Sequence, residues 1–272
     1  MTSTARAEAP RTRAVAERGF LGVSALLCVG CAVATVAWCT SMSAMGGMPM
    51  PGGWTMSMAW MQMCGQTWLG LAASFLGMWT VMMVAMMLPS LVPMLRRYRG
   101  AVGQVGGARL AGLTALVGTG YFFVWTVLGA VAFALGVALA ALEMQWPVLA
   151  RAAPIAAGLV VLAAGALQFT AWKARHLAHC REALGSGRTL SADVSTAWRH
   201  GLRLGLHCAA SCAGLTGVLL VVGVMDLGAM AVVAAAITLE RLAPAGQRVA
   251  RGVGAIAAWA GVFLILQAVV PG

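Results

Sequence analysis

Seven apolar runs, most of them about 20 residues or longer, set the limits on what this chain can fold into. They are drawn at 19–39, 68–92, 110–141, 152–172, 204–224, 227–243 and 250–270. Twenty residues of α-helix span roughly 30 Å, the thickness of a bilayer's hydrocarbon core. The runs are continuous, whereas a membrane barrel strand alternates over about 10 residues. Of the 272 residues, 61% are apolar and only 9% charged, and the mean hydropathy is +0.88. Soluble domains are about 45–50% apolar and about 25% charged. This excludes a soluble enzyme, a disordered tail and a secreted disulfide scaffold. The expected fold class is all-α, a polytopic transmembrane helix bundle with seven spans, or six if the short run at 227–243 does not cross.

The net charge of +11 would suit a nucleic-acid partner, but its placement argues against one. All but one of the 18 Lys and Arg fall in four clusters between apolar runs, at 6–18, 96–109, 173–203 and 241–251. Arg151 is the exception. No aromatic residues interleave with them as on a base-stacking platform. With a cytoplasmic N-terminus all four clusters face the cytoplasm, the positive-inside arrangement. The expected partner is therefore the lipid bilayer, and nucleic acid is excluded.

Four segments follow: a basic cytoplasmic tail at 1–18, a first transmembrane helix at 19–40, a Met-rich extracytoplasmic segment at 41–67 and a bundle at 68–272. The first apolar run is longer than the roughly 7–15 residues of a signal-peptide core, so an uncleaved helix is expected. Spans five and six read as a hairpin, with Asp226 as the N-cap of the second helix.

Sulfur is the chemistry on offer. Eight of the 22 residues from Met42 to Met63 are methionine, and Met42, Met45, Met48, Met50, Met56 and Met58 are a candidate metal-capture set. Thioether sulfur is a soft ligand that selects Cu(I) over hard cations. Alternatively, residues 54–63 form an interfacial helix in which Met fills space. In span two, Met78, Met82 and Met86 share a helix face, and Met83 and Met87 form a second stripe about 100° away. Methionine also packs well in a membrane core. Pro89 removes one helical hydrogen bond and frees a carbonyl in the preceding turn.

His207, Cys208 and Cys212 open span five, with the two cysteines at i, i+4 on one face. They lie at the same depth as Met82, Met83, Met86 and Met87, in the cytoplasmic half. Glu240, near the cytoplasmic end of span six, is a ligand, a proton acceptor, or a carboxylate satisfied by adjacent Arg241 and water. Gln168, Lys173, His176, His179 and Cys180 read as solvated residues of a basic loop. Cys39 and Cys64 flank the Met-rich segment and could close it as a disulfide. Cys28 and Cys31 read as packing.

At these residues the chain resembles the bacterial family of predicted metal-binding integral membrane proteins. The resemblance covers about residues 75–245. It rests on Met78-Trp79-Thr-Val-Met82-Met83-Val-Ala-Met86-Met87-Leu-Pro89-Ser90-Leu-Val-Pro93-Met94, on Gly120-Tyr121-Phe-Phe-Val-Trp125, and on Gln168 to Arg181. It continues from Gly205-Leu-His207-Cys208 through Gly223-Val-Met225-Asp226 to Glu240-Arg241-Leu-Ala-Pro244. It implies metal binding. The family's fifth span usually reads Cys-x-x-Cys-Cys-Trp, and here Ser211 and Ala213 stand at two of those places. A three-thiolate site would be one sulfur short, to be made up by Met or His207.

The expectation is a multi-pass bacterial inner-membrane protein that binds a soft transition metal, with Cu(I) favoured by ligand softness. It would capture copper, then deliver or transport it, exchanging metal with another protein or a larger membrane complex. The alternatives are a subunit of a copper-dependent membrane oxidoreductase and a metal-free scaffold subunit.

Overall fold

The computed structural model describes residues 3–269 except 45, 58–59, 63–64, 103–104 and 183–189, with side chains from Val15 onward apart from residues 181–182. Eight helices are seen among the described residues: α1 (Ser3–Ser43), α2 (Trp68–Ala101), α3 (Gly107–Gln145), α4 (Pro147–Leu167), α5 (Ala171–Glu182), α6 (Val194–Val222), α7 (Leu227–Leu242) and α8 (Gly246–Val269). Six of them are long and apolar enough to cross a membrane. At 16 residues, α7 is about 24 Å long and falls short of the hydrocarbon thickness. Helix α1 begins at Ser3 and takes in most of the segment expected to be a tail.

Local chemistry sets the ends. Thr67 Oγ1 accepts from Gly70 N–H at 3.1 Å to start α2, and Pro147 sits at the first turn of α4. Asp226 Oδ1 accepts from Ala229 N–H at 2.7 Å, the N-cap its position predicts. Asp193 caps α6 well before the apolar run begins, so α6 carries Arg199 and Arg203 in its first turns. The Ser195 hydroxyl, with the N–H groups of Thr196 and Ser195, holds the exposed Asp193 carboxyl below its ordinary range. Gly223 ends α6 at φ 138°, a conformation that L side chains rarely adopt. In α2, Pro89 cannot donate to the Ala85 carbonyl, and the Cys28 thiol of α1 donates to it instead at 3.6 Å. Cys28 thus tends a backbone acceptor as well as filling space.

The Met-rich segment departs from expectation. It forms a hairpin of β1 (Gly47–Met50) and β2 (Trp54–Ser57), with no interfacial helix over 54–57. Gly52 and Gly53, both at positive φ, make the turn. Met48 pairs with Met56 and Met50 with Trp54, so all four share one face. That face packs on Ala140 of α3 and Ala150 of α4, and Trp54 Nε1 donates to the Ala150 carbonyl at 2.8 Å. Met50 and Met56 are buried and Met48 is half-buried, so these three are not the exposed arm that composition suggested. Met42 lies half-buried at the end of α1; Met45, Met58, Met63 and Cys64 fall outside the described residues.

Helix α2 packs against α1, α3 and α7, while α6 packs against α3, α4, α5 and α7. One continuous buried cluster runs through α2, α3, α6 and α7. The outer surfaces are apolar, with Ile256 at 73% and Trp259 at 77% exposure on α8. Helices α4 and α8 meet through glycines two turns apart, Gly158 and Gly165 against Gly254 and Gly261. A Cβ on Gly261 would lie 2.5 Å from the backbone nitrogen of Leu162. Gly261→Val is therefore expected to cost about 1–3 kcal/mol by overpacking. The check is a lower thermal midpoint in detergent with unchanged helical content; an unshifted midpoint would contradict this close packing.

Candidate metal centre

Helix α6 places Cys208 and Cys212 one turn apart on its buried face. Tyr121 of α3 brings its hydroxyl 2.8 Å from Cys208 Sγ. From α7, the Arg241 guanidinium reaches across the gap. Its Nη2 donates to Ser211 Oγ at 3.2 Å and contacts Cys212 Sγ at 3.5 Å and Cys180 Sγ at 3.8 Å. Its Nη1 donates to Ser90 Oγ of α2 at 3.3 Å. Arg241 is only 5% exposed, and its hydrogen bonds go to hydroxyls and sulfurs rather than to a carboxylate.

Glu240 and Arg241 do not satisfy each other. Adjacent residues on a helix point about 100° apart. Glu240, 1% exposed, instead accepts from Lys173 Nζ of α5 at 2.7 Å and from Gln168 Nε2 at 3.0 Å. Lys173, 4% exposed, also donates to the Ser211 carbonyl of α6. This corrects the solvated-loop reading: α5 is a helix, and Lys173, Cys180 and the preceding Gln168 are buried.

The predicted site residues separate into three groups. Met82, Met83, Met86 and Met87 lie with Cys208 and Cys212 in the same buried cluster. Glu240 reaches the cysteine helix through Lys173. His207 turns toward α5, its Nδ1 3.3 Å from His176 Nδ1 and its ring stacked on His179 at 5.1 Å. Beside Cys212, whose Sγ lies 3.7 Å from the Ser211 hydroxyl, a further sulfur stands at Ser211: Cys180 of α5, 3.9 Å from that hydroxyl. Among the described residues, no group of three or more His, Cys, Asp or Glu is arranged to hold a metal ion.

Sequence reasoning missed Arg241, Lys173, Cys180 and Tyr121. A signal existed for two of them. Two opposite charges side by side in an apolar helix cannot pair with each other, so each implies a partner on another helix.

Fold and site together define a class: a predominantly helical, sulfur-rich protein with six long apolar helices among the described residues and a buried centre of cysteines set among cations. The family model of the PpoB2 copper chaperones matches residues 76–264, more than half of the chain, and the chain belongs to that family. The matched stretch contains every residue of the centre and leaves out the methionine hairpin. No curated protein and no solved structure gives a significant match.

Proposed function

We propose that the protein is a multi-pass inner-membrane copper chaperone that holds Cu(I) between Cys208 and Cys212 and hands it to an acceptor. The observation that carries this reading is the pair of buried cysteines one helical turn apart with a buried guanidinium beside them. Cu(I) is content with two sulfurs, and a bis-thiolate complex of Cu(I) bears one net negative charge. Arg241 neutralises it, so the loaded centre is neutral inside an apolar bundle where an unpaired charge is costly. The same two thiolates around Zn(II) would leave an excess positive charge. In this reading Met82 and Met86, buried in the same core, would add thioethers, and Glu240 serves the ion pair with Lys173 rather than the metal.

The basic clusters put the N-terminus and the loops around α5 in the cytoplasm. The methionine hairpin then lies outside, where Met48 is a half-buried thioether that can meet incoming copper, while Met50 and Met56 on the same face are buried. Delivery rather than transmembrane transport fits membership of a chaperone family.

Copper content per chain, measured by mass spectrometry after anaerobic Cu(I) loading in detergent, tests the reading. Wild type is expected to hold about one Cu(I), and Cys208→Ser/Cys212→Ser close to none. Negligible copper in both would overturn it and leave the sulfurs as packing in a scaffold. The triple Met48→Leu/Met50→Leu/Met56→Leu variant keeps apolar volume. It is expected to reach the same final copper content while taking Cu(I) up more slowly from dilute solution. An unchanged uptake rate would make the hairpin a packing element.

A further inference from the structure

A cleft of about 910 Å³ opens beside the cysteine centre, lined by α2, α5, α7 and the start of α8. Its volume lies in the range of small-molecule sites. Arg97 and Arg248 are exposed on its walls, while Ser90, Cys180 and Arg241 are buried, so the last three form its floor. The floor is in contact with the proposed copper pair, because Arg241 Nη2 touches both Cys180 Sγ and Cys212 Sγ. Ser211 Oγ likewise lies 3.9 Å from Cys180 Sγ and 3.7 Å from Cys212 Sγ. Arg241 Nε is buried without a hydrogen-bond partner among the described residues.

We infer that this cleft is the port through which Cu(I) is exchanged with a small anionic thiol of the glutathione class, with Cys180 as the relay sulfur on its floor. The inference rests on the copper-chaperone reading above. The two exposed arginines on its walls favour an anionic visitor, and a thiol on the floor favours a visitor that itself exchanges soft metal. The step is a ligand exchange, and copper stays Cu(I) throughout. Cys180 loses its proton to solvent as it binds copper, and the Cys212–copper bond breaks with Cys212 taking up a proton. A first carrier thiol then loses its proton as it binds, and the Cys208–copper bond breaks with Cys208 taking up a proton. A second carrier thiol loses its proton as it binds, and the Cys180–copper bond breaks with Cys180 reprotonated, so copper leaves held by two carrier sulfurs.

The test uses full-length protein loaded with Cu(I) in detergent. Copper release is followed after mixing with glutathione, which is anionic, or dithiothreitol, which is neutral, at matched thiolate concentration. In wild type, S-methylglutathione, which keeps the charges but lacks the thiol, is expected to slow release to glutathione saturably. Arg97→Gln/Arg248→Gln is expected to keep its copper content and lose about tenfold in release rate to glutathione, with dithiothreitol unaffected. Cys180→Ser is expected to keep its copper and to slow release to both thiols. Loaded variants that release copper at the wild-type rate, or no inhibition by S-methylglutathione, would overturn the port. Failure of wild type to load copper would instead overturn the chaperone reading on which it stands.

Discussion

Lys173→Met alone is expected to lower stability by about 3–5 kcal/mol, the cost of leaving one partner of a buried ion pair behind. The carboxylate of Glu240 is 1% exposed, and its ammonium partner lies 2.7 Å away. Removing that ammonium takes a charged partner from a carboxylate held in a medium that solvates charge poorly, and the Gln168 amide is a much weaker partner than the ammonium it loses. Glu240→Gln is expected to fail comparably, stranding a cation against the Ser211 carbonyl. Lys173→Met/Glu240→Gln removes both charges and is expected to return most of the loss, because exchanging a whole buried pair for neutral groups is often close to neutral. Thermal unfolding in detergent, followed through the buried Trp79 and Trp125, gives the coupling energy of this cycle. Additive losses in the double variant would show that the two charges do not depend on each other.

The second large effect concerns copper. Arg241→Met is expected to weaken Cu(I) binding by about 10²–10³. A unit charge about 4 Å from the copper complex is worth roughly 4 kcal/mol at an effective dielectric of about 20, which sets the upper end of that range. Arg241→Lys keeps the charge but lacks the planar fork that reaches Ser90 on α2 and Ser211 on α6 together. It is expected to fall between wild type and Arg241→Met. Affinities are measured by competition with a Cu(I) chelator of known strength. An Arg241→Met variant within twofold of wild type would overturn the charge argument and with it the preference for Cu(I) over Zn(II).

Much of this protein is visible in its residues. The apolar runs give the helices because, with few polar side chains available, a backbone in apolar surroundings must satisfy its own hydrogen bonds. The Asp226 cap and the hairpin of α6 and α7 follow from local chemistry that acts within a few residues. The i, i+4 spacing of Cys208 and Cys212 puts both on one buried face, and the structure keeps them there.

The methionine segment was less legible. Gly52 and Gly53 are turn residues in plain view, yet the alternation of Met48, Met50 and Met56 was obscured by so many other methionines. A hairpin of four-residue strands is marginal by itself, and what holds this one is Trp54 on Ala150, nearly a hundred residues away.

The centre divides along the same line. Sequence by itself determined the helices, their apolar faces and the pair of sulfurs on α6, because each depends on neighbours within one or two turns. The tertiary structure decided which charge meets which. Arg241 turned from Glu240 toward Cys212, Lys173 came in from α5 to take the carboxylate, and Cys180 arrived beside Ser211. No local rule reaches so far. Charges that leave water must find their partners wherever the packed helices put them, and in an apolar interior few arrangements leave none stranded.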